Sequence, residues 1–188
     1  MRKLAVIFPG IGYTADKPLL YYSRKIAVKY DYDIMIMEYA GVPSRVKGDK
    51  KRMKEFFESA FEQSMKALSG VDMAACSDVL FVGKSIGTVI AAKIAAESPL
   101  QDRIRLILYT PLEDTFSYPI KEAVAFTGGD DPWVGREKSP VLGLCEKYRI
   151  PCTLVPNANH SLESGDTFAD MEELYKVMKE TEQFILRS

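Results

Sequence analysis

Short apolar runs alternate with stretches of helical periodicity along the whole chain. Leu4–Phe8, Asp33–Met37, Val79–Val82, Ile104–Tyr109, Ala123–Phe126 and Thr153–Val155 read as six strands. Most are apolar nearly throughout, the pattern of strands covered on both faces. Over Lys50–Ser69, the residues Met53, Phe56, Phe57, Ala60, Phe61, Met65 and Leu68 fall near an i, i+3, i+4, i+7 stripe. Lys17–Tyr30, Ile86–Glu97 and Glu137–Tyr148 supply three more helices. Met171, Leu174, Tyr175, Met178 and Ile185 mark one face of a last one. Strand–helix–strand repetition predicts parallel strands joined by right-handed crossovers, hence an α/β three-layer sandwich around a mostly parallel six-stranded sheet. The 188 residues fit one domain, 1–188. The connection Thr110–Glu122 is too short to hold an inserted lid.

Composition narrows the function classes. Lys+Arg 25 against Asp+Glu 26 gives a formal net charge of -1, which argues against a protein that grips nucleic acid. No run approaches the roughly 18 consecutive apolar residues of a membrane span. The apolar stretch Leu4–Phe8 meets Pro9-Gly10 too soon for the core of a secretory signal. Cys76, Cys145 and Cys152 are an odd number without metal-ligand spacing, and His160 is the only histidine. A disulfide scaffold and a zinc finger are therefore not expected; a reducing cytoplasm is. The three cysteines read as small buried hydrophobes.

Three segments carry candidate chemistry. Gly83-Lys84-Ser85-Ile86-Gly87 matches G-x-S-x-G, with a strand running into it and an Ala-rich helix running out. That is the setting of a nucleophile elbow, which holds a serine Oγ out at the C-terminal end of a sheet. The competing reading is a tight turn with Ser85 as a helix N-cap. A serine hydroxyl needs a general base, itself oriented by an acid. The sole histidine, His160, follows the sixth strand in a polar loop, Pro156–Glu163. After the fifth strand, Gly128-Gly129-Asp130-Asp131-Pro132-Trp133 offers two carboxylates. One is expected to meet the histidine and the other to form an Asx-turn before the proline. The order Ser, Asp, His is the one this architecture uses. Backbone N–H groups would complete the site as an oxyanion hole. Ile86, next to the serine, supplies one, and Ile11, in the loop Pro9–Tyr13 after the first strand, supplies the other if the strand order is 2-1-3-4-5-6.

On these segments the chain resembles the α/β-hydrolase superfamily in a short form without a cap domain, over nearly its whole length. Pro9-Gly10-Ile11-Gly12 resembles the family's His-Gly-x oxyanion segment, with proline in place of histidine. Gly83–Gly87 resembles the elbow, Gly128–Pro132 the Gly-x-x-Asp acid motif, and Asn157–Glu163 the terminal histidine loop. The resemblance implies Ser85, Asp131 and His160 as catalytic residues, six strands in place of eight, and no metal or organic cofactor. It implies hydrolysis of a small ester, thioester or amide through an acyl-enzyme. An acyltransferase would use the same residues.

Other readings compete. Gly10-Ile11-Gly12-Tyr13-Thr14-Ala15 fits the dinucleotide fingerprint G-x-G-x-x-A, with Glu38 ending the second strand. Against it, Asp16-Lys17-Pro18 reads as an N-cap and early-turn proline, which starts the helix after the glycines. Gly83-Lys84-Ser85 is the tail of a P-loop, but position 78 is Asp and the residues between form a hydrophobic strand. The basic run Arg45–Lys54 reads as a solvated face or, more weakly, as an attraction for an anionic substrate. Tyr13, Phe116, Tyr118, Trp133 and Leu162 lie on loops at the same sheet edge and could form an apolar wall.

Overall fold

The computed structural model describes residues 2–42, 49–133 and 140–187. Six strands form one sheet: β1 (Lys3–Phe8), β2 (Tyr32–Ile36), β3 (Asp78–Lys84), β4 (Ile104–Tyr109), β5 (Glu122–Gly128) and β6 (Cys152–Val155). Their order is β2-β1-β3-β4-β5-β6, and every pairing is parallel rather than most of them. Helices α1 (Pro18–Lys29), α2 (Lys50–Leu68), α3 (Ile86–Glu97), α4 (Pro140–Tyr148) and α5 (Thr167–Ile185) make the crossovers and the outer layers. Short 3-10 turns at Gln101–Arg103 and Glu113–Ser117 flank β4.

The alternation of side chains along each strand divides the interior into two cores. On one face, Leu4, Val6, Phe8, Val79, Phe81, Leu106 and Ala125 meet Phe56 and Ala60 of α2, Ile90 of α3 and Cys145 of α4. On the other, Ala5, Ile7, Leu80, Val82, Ile107, Tyr109 and Phe126 meet Leu20 of α1 and Val177, Phe184 and Ile185 of α5. Strands β1, β3 and β4 are central, which is why their sequences are apolar on both faces. β2 and β6 are edges and partly exposed, with Leu154 43% exposed.

Buried charge fixes the end of the sheet where the strands begin. Asp78, the first residue of β3, accepts from Arg105 at 2.5 and 3.2 Å and from the Tyr32 hydroxyl. Arg105 also donates to the Phe184 and Ile185 carbonyls, at 2.7 and 3.3 Å. One guanidinium thus satisfies a buried carboxylate and the C-terminal carbonyls of α5, groups that a helix leaves without partners.

Some sequence expectations shift. Helix α1 starts at Pro18, but its N-cap is Lys17 without a side-chain bond, while Asp16 pairs with Arg24 at 2.8 Å. The helix therefore opens beyond Gly10–Ala15, where its N-terminus cannot face a phosphate held by those glycines. On α5 the buried face runs through Val177, Met178, Thr181, Phe184 and Ile185. Met171 and Tyr175, read as part of it, are 61% and 67% exposed, because the sheet is met only by the second half of the helix. Residues 45–48 of the basic run and 137–139 of the helix read from Glu137 lie outside the described residues. Among those described, no helix is long and apolar enough to cross a membrane.

Candidate active site

The C-terminal ends of β1 and β3 are neighbours, with Phe8 paired to Gly83. The chain leaves them toward opposite layers, α1 on one and α3 on the other, so this is the point where the strand order reverses. Gly10 abuts the serine from the β1 side. A Cβ there would lie 2.9 Å from the Lys84 carbonyl oxygen and 3.3 Å from Ser85 Cβ. Gly10 and Tyr13 exchange backbone bonds at 3.1 and 3.2 Å, making a tight turn with Ile11 and Gly12 at its corners. Among the described residues, neither the Ile11 nor the Ile86 N–H donates to a protein acceptor.

Ser85 sits on the bend from β3 to α3 with φ 56 and ψ -122. That is a conformation a serine holds only when its surroundings enforce it, at about 1–3 kcal/mol. Its N–H donates to the Tyr109 carbonyl at 3.0 Å. Its own carbonyl accepts from the Thr88 N–H at 2.8 Å and the Thr88 hydroxyl at 2.6 Å. Thr88 Oγ1 in turn lies 2.7 Å from Thr115 Oγ1, which ties the bend to the turn after β4. Gly87 lets α3 press onto β1: a Cβ there would stand 2.1 Å from the Phe8 carbonyl oxygen. Although Ser85 occupies the N-cap position, its side chain makes no capping bond.

The hydroxyl meets the imidazole instead. Ser85 Oγ lies 2.7 Å from His160 Nε2, and His160 Nδ1 lies 2.7 Å from Asp131 Oδ2. The loops that achieve this are sewn together by backbone bonds, Gly129 N–H to the Val155 carbonyl and Asp130 N–H to the Ala158 carbonyl, both at 2.9 Å. Thr110 donates through its hydroxyl to the His160 carbonyl at 3.1 Å. Asn159 Oδ1 accepts from the Ser161 N–H at 2.6 Å and closes the histidine turn. The expected division of labour between the two aspartates does not hold. Asp131 meets the histidine with one oxygen and accepts from the Trp133 N–H at 2.9 Å with the other, while Asp130 is exposed. One carboxylate does both, since its two oxygens point along different directions.

The electrostatics favour a neutral imidazole. His160 is pushed below its ordinary value of 6.5, chiefly by burial, opposed by its bond to Asp131 and reinforced by the nearby Lys84 cation. Asp131 is fully buried; His160 keeps 18% of its side chain exposed. The Trp133 ring stands 5.7 Å from the imidazole, tilted by 40°. Of the other aromatics read as a wall, Phe116 is buried and stacks on Tyr148, and Tyr13 turns inward, its oxygen accepting from the Leu19 N–H at 3.1 Å. In the sequence Lys84 is a variable position of the serine and phosphate motifs, yet its side chain is buried beside this centre. The parity of β3 was the available signal, because residues 80, 82 and 84 share a face. Among the described residues, no group of three or more His, Cys, Asp or Glu is placed to hold a metal ion.

No protein-family model and no curated protein matches the chain by sequence. Solved structures match it along almost its whole length. Est1E from Butyrivibrio proteoclasticus superposes with a TM-score of 0.68 at 15% identity, covering 99% of this chain and 88% of that one. The Pyrococcus furiosus esterase Pf2001 gives 0.66 at 14%, covering 98% and 82%. XC6422 from Xanthomonas campestris, an α/β serine hydrolase without a lid, gives 0.62 at 16%, covering 98% and 81%. Strand order, crossovers and these superpositions agree: the chain has the α/β-hydrolase fold in a minimal, six-stranded form.

Proposed function

We propose that this protein is a serine hydrolase acting on a small ester, thioester or amide. The observation that carries the reading is the unbroken chain Ser85 Oγ, His160 Nε2, His160 Nδ1, Asp131 Oδ2, with both contacts at 2.7 Å. A neutral imidazole bonded in this way has its proton on Nδ1, donated to Asp131, and a free lone pair on Nε2 facing the serine hydroxyl. As Ser85 Oγ bonds to the substrate carbonyl carbon, His160 Nε2 takes the hydroxyl proton and the carbonyl electron pair moves onto oxygen. The Ile86 and Ile11 N–H groups receive that oxyanion. Collapse of the adduct breaks the bond to the leaving group, which takes the proton from His160. Water then repeats the sequence on the acyl-enzyme and frees Ser85. The buried Asp131 carboxylate stabilises the imidazolium formed in each half-reaction.

Two further facts support this reading. Strain at Ser85 is held by backbone bonds to β4 and α3, as expected where geometry serves chemistry. Of the structures sharing the fold, Pf2001 from Pyrococcus furiosus is named an esterase and XC6422 from Xanthomonas campestris a serine hydrolase. A fluorophosphonate probe tests it: covalent labelling at Ser85, lost in His160→Ala, is the expected result. An intact, folded sample that takes no label overturns the reading.

A further inference from the structure

Lys84 ends β3, whose other charged residue, Asp78, stands at its start. It belongs to the row with Leu80 and Val82 and so enters the core between the sheet and the layer of α1 and α5. Its residue exposure is 1%. A lysine is almost never buried to this degree unless paired, and an ammonium without a partner is expensive there. Among the described residues, no carboxylate approaches its Nζ within ion-pair distance, and no hydrogen bond is made by it. What faces the ammonium is the ring of Tyr13, 4.9 Å from Nζ to the centroid. Lys84 directly precedes Ser85, whose Oγ lies 2.7 Å from His160 Nε2, and His160 Nδ1 lies 2.7 Å from Asp131; Asp131 and Glu163 are the charges that bear on the ammonium, and His160 feels it in turn. Tyr109, beside Lys84 on β4, turns its hydroxyl away to Ser23 and Thr181.

A volume-filling residue in this row would be apolar, as Leu80 and Val82 are. A cation here instead projects its field through a low-dielectric interior onto the only imidazole in the chain. We propose that Lys84 is a positioning residue of the candidate active site, a buried cation that acts from beneath on the His160–Asp131 pair and favours the neutral imidazole. The ammonium opposes a second positive charge on His160 and shares the balancing of Asp131, without touching substrate. Burial brings Lys84 itself down from 10.5 to about 7, with Asp131 and Glu163 acting the other way. The cation is therefore present over the acidic range in which His160 titrates, and fades above it. The catalytic meaning of this device rests on the serine-hydrolase reading; the charge coupling does not.

The sole histidine makes the coupling directly measurable, since one imidazole resonance in the NMR spectrum reports His160 without assignment. Lys84→Met keeps the stem and removes the charge, and Lys84→Gln serves if the methionine variant fails to fold. The expected result is a His160 midpoint higher in the neutral variant by about one pH unit. The acid limb of kcat/KM on an ester substrate should move with it, while rates converge at alkaline pH where the parent lysine is also uncharged. An unchanged midpoint in a folded variant overturns the proposal. A shifted midpoint in a protein that takes no fluorophosphonate label would leave the coupling standing and remove the hydrolase reading.

Discussion

His160 Nε2 lies 2.7 Å from Ser85 Oγ across 75 residues of sequence. The contact depends on four loops arriving at one sheet edge, and its chemistry depends on protonation. Because burial holds His160 below 6.5, the base is free at neutral pH and is lost as acid protonates it. The acid limb of kcat/KM is accordingly expected below pH 6.5 in the unmutated protein. A limb above that value would mean that the bond to Asp131 outweighs burial and the Lys84 charge.

Removing one member should nearly remove the whole, because these residues act as a unit. Ser85→Ala and His160→Ala are each expected to lower kcat by about 10³-fold or more, and the double variant by little more than either. Asp131→Asn keeps the shape but has one acceptor oxygen for two donors, His160 Nδ1–H and Trp133 N–H, and no charge to set against an imidazolium, which predicts a loss of about 10⁴-fold. Asp130→Asn touches an exposed side chain and should leave kcat within about twofold. Comparable losses from both asparagine variants would contradict the assignment of the acid.

The close approach at Gly87 gives a further prediction. A methyl group there meets the Phe8 carbonyl oxygen at 2.1 Å, a backbone atom that can yield only if β1 or α3 moves. Gly87→Ala should cost about 1–3 kcal/mol, a Tm loss of about 2–12 °C. Displacing the start of α3 also shifts Ser85 and the Ile86 N–H, so fluorophosphonate labelling should slow even in the folded fraction. Unchanged labelling at an unchanged Tm would show that the bend adapts, against the geometry described.

At the opposite end of the strands, the cluster around Asp78 predicts a stability effect without a chemical one. Arg105 is 6% exposed and bonds Asp78, the Tyr32 hydroxyl and two carbonyls of α5. Arg105→Ala strands a buried carboxylate and should cost about 3–5 kcal/mol. Exchanging both partners, as Arg105→Met with Asp78→Leu, should be milder, because no charge is left unpaired. Urea denaturation of the two variants separates these cases. Activity per folded molecule should be retained in both, since the loops that carry Ser85, Asp131 and His160 lie at the other end of the strands.

The sequence makes some of this legible and hides the rest for physical reasons. Strands β1, β3 and β4 stand out because both faces are buried and every position is apolar or nearly so. The bend at Ser85 is marked by its glycines and by the change of period across it. Helix α5 is harder: Met171 and Tyr175 continue an apolar stripe that the sheet does not reach, and periodicity cannot tell contact from exposure. Asp131 taking two partners is invisible in a string of letters, because each carboxylate oxygen is a separate acceptor. The Thr88–Thr115 contact joins elements 27 residues apart and has no local signature. Lys84 lay hidden in plain view, occupying a motif position that is free to vary.

Lys84 also makes a prediction about stability, whose sign can be derived from its depressed value. Below about pH 7 the lysine is charged in both folded and unfolded chains, so the folded state bears the full desolvation penalty. Between about 7 and 10.5 the unfolded chain still holds a proton that the folded one has released, so stability rises with pH. Above 10.5 both forms are neutral and the penalty is gone. Lys84→Met removes this contribution at every pH. The variant should therefore be more stable than its parent at pH 6, and the difference should shrink steadily toward pH 10.5 as measured by urea denaturation at several pH values. Changes in packing from the new side chain shift both ends of that curve alike, so the slope of the difference isolates the charge. A difference that stays constant with pH would mean that the folded protein holds the lysine at its ordinary value, well solvated or firmly paired. The same substitution thus trades stability against the state of His160, and a gain in one accompanied by a loss of low-pH activity is the signature of a cation kept for chemistry.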